Sequence, residues 1–313
     1  MNELQPGRYK LAAKDYHADP CPRPSLSSTI AKILLKESPL HAWHNHPRLN
    51  TKITPRQATF MDIGSVAHEL LLQDGSRTVV IDAPDYRTKA AQDAKAKAYA
   101  EGKVPILSKH YVGAQAMVVT AITYLRECFG NRTVKAMLKD PANHTEQALI
   151  WQDQSSHPGA APVWCRSMVD WLQEDGTIVD YKTTATSVRS DNIERHLFAM
   201  DYHVQNAFYE RGMDRLFPDG AGHRRFLFLF QEVTPPFACQ LIRVDEGALH
   251  IARRMVHEAI DDWSWCLDNG QWPSYPARAC TVMMPNWQTD KWMRHEEEAP
   301  AGGFALPDYF SAG

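Results

Sequence analysis

Residues 165–184 read CRSMVDWLQEDGTIVDYKTT, and no other stretch limits the possible folds as tightly. Two runs, 165–172 and 177–183, are rich in β-branched and aromatic residues and meet at Glu174-Asp175-Gly176. A three-residue hairpin loop needs a left-handed residue, which Gly176 supplies. With that loop, Gln173 faces Thr177, Leu172 faces Ile178, Trp171 faces Val179 and Asp170 faces Asp180. Side chains alternate along each strand. Asp170, Asp180 and Lys182 therefore share one face, and Val169, Trp171, Val179 and Tyr181 share an apolar one. Directly opposed residues hold their Cβ atoms about 4.5–5.5 Å apart, where like charges repel. Two readings stand: a surface hairpin whose acids sit in water, or carboxylates gathered around a shared divalent cation. In the second, Lys182 orients or deprotonates a water, or stabilises developing negative charge.

Asp170 followed by Asp180-Tyr181-Lys182 resembles the core of the PD-(D/E)xK nucleases. The wider order of motifs is similar to the RecE (exonuclease VIII) type within that superfamily. Ser25-Leu26-Ser27 opens a helix running to Ser38-Pro39, and Gly64-Ser65-Val66-Ala67-His68-Glu69 follows. After the Asp-Tyr-Lys strand come Tyr202-His203-Val204-Gln205-Asn206-Ala207-Phe208-Tyr209 and Gly270-Gln271-Trp272-Pro273-Ser274-Tyr275. The resemblance spans residues 25–288. It departs from the superfamily at Val169, where many members carry Pro before the first Asp.

The resemblance implies an α/β fold: a mixed central β-sheet flanked by helices, a restriction-endonuclease-like core, with a helical N-terminal extension. It implies a Mg²⁺-dependent deoxyribonuclease, with Mn²⁺ substituting, that digests double-stranded DNA ends 5′-to-3′ and leaves 3′ overhangs for recombination. The implied partners are DNA ends, a RecT-like single-strand annealing protein and further copies of the chain in a trimeric or tetrameric ring. Asp170, Asp180 and the Tyr181 carbonyl are implied to hold one ion, with His68 and Glu146 beside a second. Lys182 and Gln205 complete the implied catalytic set, and Tyr202, Arg166, Arg189 and Thr183 are the implied DNA contacts. A structure-specific endonuclease with the same site, and a non-catalytic DNA-binding protein on this fold, are the alternatives.

At 313 residues the chain can bury a large core. Its net charge of −3 shows no global basic field, so contact with DNA requires a local basic channel. The six cysteines contain no CxxC pair, which argues against a zinc ribbon, and Cys266 and Cys280 lack the third late member of an iron–sulfur set. The start MNELQPGRYK is polar, and no apolar run approaches the ~20 residues of a membrane helix, so a cytoplasmic location is expected; the resemblance implies that the cell is a bacterium, or the bacterial host of a phage.

Along the chain, 1–24 reads as an irregular arm. A single nuclease domain is expected over 25–288: a helical part (25–143), the catalytic sheet (144–244), and a C-terminal helix and tail (245–288) ahead of an irregular 289–313. Helical spacing marks 25–36, 59–73, 87–100, 108–129, 133–138, part of 187–200, 202–217 and 246–267. Asp201 is the expected N-cap of the helix from Tyr202, on which Tyr202, Gln205 and Tyr209 share a face. Strands are expected at 78–82, at 145–151 as the first of the catalytic sheet, and at 224–233 and 237–244. Taken alone, His68 reads as a core histidine, Glu146 as an edge-strand acid, and Tyr202 as a packing residue. His41, His44 and His46 read either as a metal cluster or as an exposed loop near DNA.

Overall fold

The structure, a computed structural model, describes residues 4–51, 63–72 and 77–298. The chain divides into two compact units, Met1–Ser274 and Tyr275–Gly313. In the first, the N-terminal segment forms β1 (Gly7–Lys10), α1 (Ala13–His17), β2 (Leu26–Ser27), α2 (Ser28–Lys36) and α3 (Pro39–Asn45). There follow α4 (Ile63–Leu72), β3 (Thr78–Ile81), α5 (Lys89–Ala100), β4 (Val104–Leu107), α6 (Ser108–Phe129), α7 (Asn131–Lys139) and α8 (Pro141–His144). The central region holds β5 (Thr145–Asp153), β6 (Val163–Leu172), β7 (Ile178–Thr184), α9 (Ser190–Ala199) and α10 (Tyr202–Leu216). Then come β8 (Phe226–Glu232), β9 (Cys239–Ile242) and α11 (Glu246–Asn269). The second unit carries α12 (Asn286–Glu298), where an irregular tail was expected. The expected helix over 59–73 is seen as α4; positions 59–62 and 73 lie outside the described residues.

Six strands run in the order β1-β5-β6-β7-β8-β9, with β2 paired to β6 off that path. The sheet is mixed, because β7 and β8 are parallel while β5, β6 and β7 are antiparallel neighbours. β5 is not the outermost strand. Gly7–Lys10, from the expected arm, pairs along Gln147–Ile150 and caps that edge. Helices cover both faces, as the α/β reading requires. One core gathers α2, α10 and α11 with Phe226, Phe228 and Phe230. The other gathers α4 and α6 with Trp171, Val179, Tyr181 and Leu229. Both faces of β8 are thus apolar, consistent with a strand enclosed by helices.

Two local expectations fail for identifiable reasons. Asp201 does not cap α10: its φ of +53° turns the side chain away, and the carboxylate accepts from Lys36 Nζ at 3.1 Å. The three histidines form neither a metal cluster nor an exposed loop. His46 is fully buried, donating toward Asp19 (3.3 Å) and the Ser25 carbonyl, while His41 and His44 bond Ser38 and Asn50.

Asp153 ties the end of β5 to α10. Its carboxylate has no exposed surface and accepts from Arg211 Nε at 2.6 Å and Arg215 Nη2 at 2.8 Å. Burial alone would raise its pKa, but the two guanidiniums more than offset this and hold it below the usual carboxylate range. The native state therefore releases this proton more readily than the unfolded chain. The resulting stability is complete above the unfolded pKa and is lost as pH falls through the native value. Asp153→Ala removes the shared acceptor of two guanidiniums that still reach water, so urea unfolding at neutral pH should show a loss of about 1.5–3 kcal/mol. The difference from wild type should shrink in acid.

Candidate metal and phosphodiester site

The hairpin forms as its turn dictates. Trp171 pairs with Val179 and Leu172 with Ile178, the Gln173 N–H donates to the Thr177 carbonyl at 2.9 Å, and Gly176 takes φ +81°. The ladder then stops. The next pair would be Asp170 with Asp180, but the Tyr181 N–H donates instead to the Asp170 carboxylate at 2.8 Å. β7 turns to β8, pairing with it from Ile178 to Thr184. The strands thus part just where the two aspartates stand, which opens a fork lined by acid.

On the far side of β6, Glu146 lies opposite Asp170, between the pairs Thr145–Trp171 and Gln147–Val169. Its φ of +49° is left-handed, a conformation costing about 1–3 kcal/mol for a residue with a Cβ. Strain of this kind persists where surrounding structure enforces it. Here it interrupts the ladder and brings the Glu146 carboxylate to 3.8 Å from His68 Nδ1. Val169 is also separated from its expected company. Val169 packs in the core with α10, while Trp171, Val179 and Tyr181 pack in the core with α4.

His68 arrives on α4 because that helix lies tight against β7. A Cβ on Gly64 would stand 2.8 Å from Thr183 Cβ, so only glycine permits the approach. One turn later, His68 Nε2 lies 3.3 Å from Asp170 Oδ2, with its ring stacked on Tyr181. From α10, Gln205 Nε2 donates to Asp180 Oδ1 at 2.7 Å. Lys182 Nζ sits 2.5 Å from Asp180 Oδ2 and over the Tyr202 ring. His68, Glu146, Asp170, Asp180, Lys182, Tyr202 and Gln205 line one cleft of about 1160 Å³.

The electrostatics divide the two aspartates. Burial and the Asp170 charge push Asp180 up to about 6 in spite of Lys182. Burial acts on Asp170 in the same direction, but the His68 and Lys182 charges and the Tyr181 N–H hold it below the usual range. Burial disfavours the charged form of His68, yet Asp170 and Glu146 raise its pKa overall.

A divalent cation fits these residues. Ligand atoms of His68, Glu146 and Asp170 lie within 4.8 Å of one another, and two carboxylates with an imidazole suit a hard or borderline ion. Asp180 stands beside the triad with both carboxylate oxygens engaged, Oδ1 by Gln205 at 2.7 Å and Oδ2 by Lys182 at 2.5 Å. Asp180 is not part of the converging triad; Lys182 and Gln205 hold it one strand away.

The expected DNA contacts separate. Tyr202 lines the cleft. Arg166 lines it too, but its guanidinium is 4% exposed and committed to Asp19 at 3.2 Å and to Ser25. Thr183 packs against Gly64, and Arg189 is exposed beside Asp191 and lines no part of the cleft. Sequence reading missed Lys14, His17 and Lys32, which also line it. Lys32 Nζ lies 5.4 Å from the Tyr202 ring centroid and donates to the Met200 carbonyl at 3.2 Å. Its i,i+4 spacing with Lys36, on the polar side of the stripe Ile30, Ile33 and Leu34, was the available signal.

Among solved structures, a presumed exonuclease from Eubacterium rectale matches over 90% of this chain and 98% of its own, with a TM-score of 0.52 and 13% identity. That likeness concerns the fold alone. A second structure, of SSO0001, has a TM-score of 0.25 at 15% identity, over 76% of this chain and 95% of its own, and carries no argument. No curated protein matches the sequence. The PDDEXK-like domain of unknown function (DUF3799) matches residues 27–284, most of the chain. With the forked strands and the acid–lysine cleft already in place, the protein belongs to this PDDEXK-like, nuclease-fold family.

Proposed function

We propose that the protein is a divalent-cation-dependent deoxyribonuclease acting at duplex DNA ends, as a 5′-to-3′ exonuclease that leaves 3′ overhangs. One observation carries the hydrolytic reading: His68, Glu146 and Asp170 converge beside Asp180, Lys182 and Gln205 in one cleft. Polarity, ring assembly and work with a single-strand annealing protein rest on the likeness to the RecE type.

His68, Glu146 and Asp170 would hold the ion, with Asp180 beside them; Mg²⁺ or Mn²⁺ matches the donors. Such an ion supplies Lewis-acid polarisation of the scissile phosphate and a more acidic water. Lys182 places a fixed ammonium where negative charge develops on the phosphate, in a partly desolvated wall where it acts strongly. Gln205 fixes the Asp180 carboxylate from the other side, so Lys182 and Asp180 hold one geometry. Tyr202 lies under the Lys182 ammonium and limits its rotamers, and Lys32 adds a second cation on the same ring.

Linear duplexes labelled at the 5′ or the 3′ end, beside a closed circle, test the proposal. Mg²⁺ or Mn²⁺ should support release of nucleotides from the 5′ end and leave the circle intact. Cleavage of the circle would replace the exonuclease reading with an endonuclease, and no cation-dependent cleavage of any substrate would sink the nuclease reading.

A further inference from the structure

Two concave surfaces outside the catalytic cleft share a rim. One, of about 500 Å³, is lined by Arg8, Lys10, His144 and Gln173. The other, of about 260 Å³, is lined by Arg132 with the same His144 and Gln173. The first is a trough between the β1 edge and the tip of the β6–β7 hairpin, and it shares His144, Gln173 and Glu174 with the second, which reaches α7.

The unmet groups in this trough are cations and donors. Arg8 donates through Nε to Gln147 Oε1 at 2.8 Å and through Nη2 to the Asn143 carbonyl, and Lys10 Nζ donates to the Thr145 carbonyl at 2.7 Å, all neutral acceptors, while the Glu146 charge acts on Lys10 from beyond ion-pair distance. Among the described residues, neither cation, nor Arg132, has a carboxylate within ion-pair distance. Gln173 is 8% exposed, and its Nε2 is buried with no acceptor. Its backbone is already used in the turn, through the Thr177 carbonyl and the Gly176 N–H. A buried donor left unpaired is costly, and an oxyanion is the ligand that would satisfy it together with the cations. Two acids border the trough. Asp175 is taken by Arg225 at 2.6 Å, and Glu174 stands exposed at the hairpin tip.

The trough is continuous with the catalytic strands. His144 and Gln147 lie on either side of Glu146, and Leu172, on its wall, follows Asp170 by one pleat. We infer that this trough binds the phosphodiester backbone of the nucleic acid away from the scissile bond, with Arg8, Lys10 and Gln173 as its principal contacts. The inference rests on the nuclease reading for its ligand class, and it explains how a chain of net charge −3 holds a polyanion.

The test is binding of a short fluorescent blunt duplex to the full chain in EDTA, where cleavage cannot intervene. Arg8→Gln with Lys10→Gln should weaken binding about tenfold at low salt and lower the slope of log Kd against log salt by about two. Gln173→Leu should weaken binding several-fold. Arg8→Lys with Lys10→Arg, which keeps the charges, should restore the slope and guards against a folding defect, checked by thermal melting. Unchanged affinity and slope in the folded Gln pair would overturn the assignment. Duplexes with 5′-phosphate or 5′-hydroxyl ends should lose affinity equally; a loss confined to phosphorylated ends would put a terminal monoester in the trough and overturn the backbone assignment. Cation-dependent cleavage by wild type, measured separately, keeps the two failures apart. Absent cleavage with Arg8-dependent binding sinks only the nuclease reading, and intact cleavage with Arg8-independent binding sinks only the trough.

Discussion

Asp170→Asn protein should fold and bind duplex DNA, yet lose cation-dependent cleavage by about 10³-fold or more. That corresponds to about 4 kcal/mol of transition-state stabilisation. Asp170 stands where three elements meet: it receives His68 Nε2 from α4 and the Tyr181 N–H from β7, and it faces Glu146 of β5. Asparagine keeps an oxygen for the Tyr181 N–H, so the fork should survive and melting should shift little. What goes is the charge that raises the His68 pKa and the central oxygen of the converging triad. Binding of Mg²⁺ or Mn²⁺ by calorimetry should fall with the activity. An Asp170→Asn enzyme within tenfold of wild type would remove Asp170 from the site.

This central residue was legible before any coordinates, because the signal is local. A three-residue turn fixes the register, and alternation along two strands puts Asp170, Asp180 and Lys182 at the fork. The long helices and the buried β8 were readable for the same reason, since spacing and apolarity lie in adjacent residues. Other features depend on partners distant in sequence. Gly7–Lys10 has no apolar alternation and becomes a strand only because β5 offers it an edge. Val104–Leu107 is short and broken by Pro105, and it forms only against β3. Arg166 looked available to DNA, but Asp19, far away in the chain, is buried against it. Simple alternation also failed where the backbone departs from the strand region. Glu146 takes φ +49°, which nothing in its neighbours announces, and Val169 and Trp171 pack in different cores.

Lys182→Met should separate chemistry from folding. Methionine is close in length and fills similar space, but it removes the ammonium 2.5 Å from Asp180 Oδ2. Cleavage should fall about 10²- to 10⁴-fold, the range expected when a positioned proton-transfer or charge-stabilising group is lost. Affinity for DNA should change much less, since one ammonium among the cleft's cations is missing. The stability of the cation-free protein supplies an independent readout. Asp180 is 1% exposed and is already pushed up to about 6 by burial and Asp170. Its native form thus holds a proton more tightly than the unfolded chain does, so its contribution weakens stability as pH rises through that value. Without Lys182 the pKa rises further and the loss extends to higher pH. Near pH 8 the variant should be about 3–5 kcal/mol less stable than wild type, the cost of a buried carboxylate deprived of its counter-charge. Around pH 5, with Asp180 protonated in the variant, the gap should narrow. Adding Asp180→Asn removes the stranded charge, so the double variant should regain stability at pH 8 while remaining inactive. Recovery of both together would mean that Lys182 serves only to neutralise Asp180. Recovery of stability alone shows that the reaction needs Lys182, Asp180 or both, and cleavage by Asp180→Asn alone, measured beside it, tells them apart.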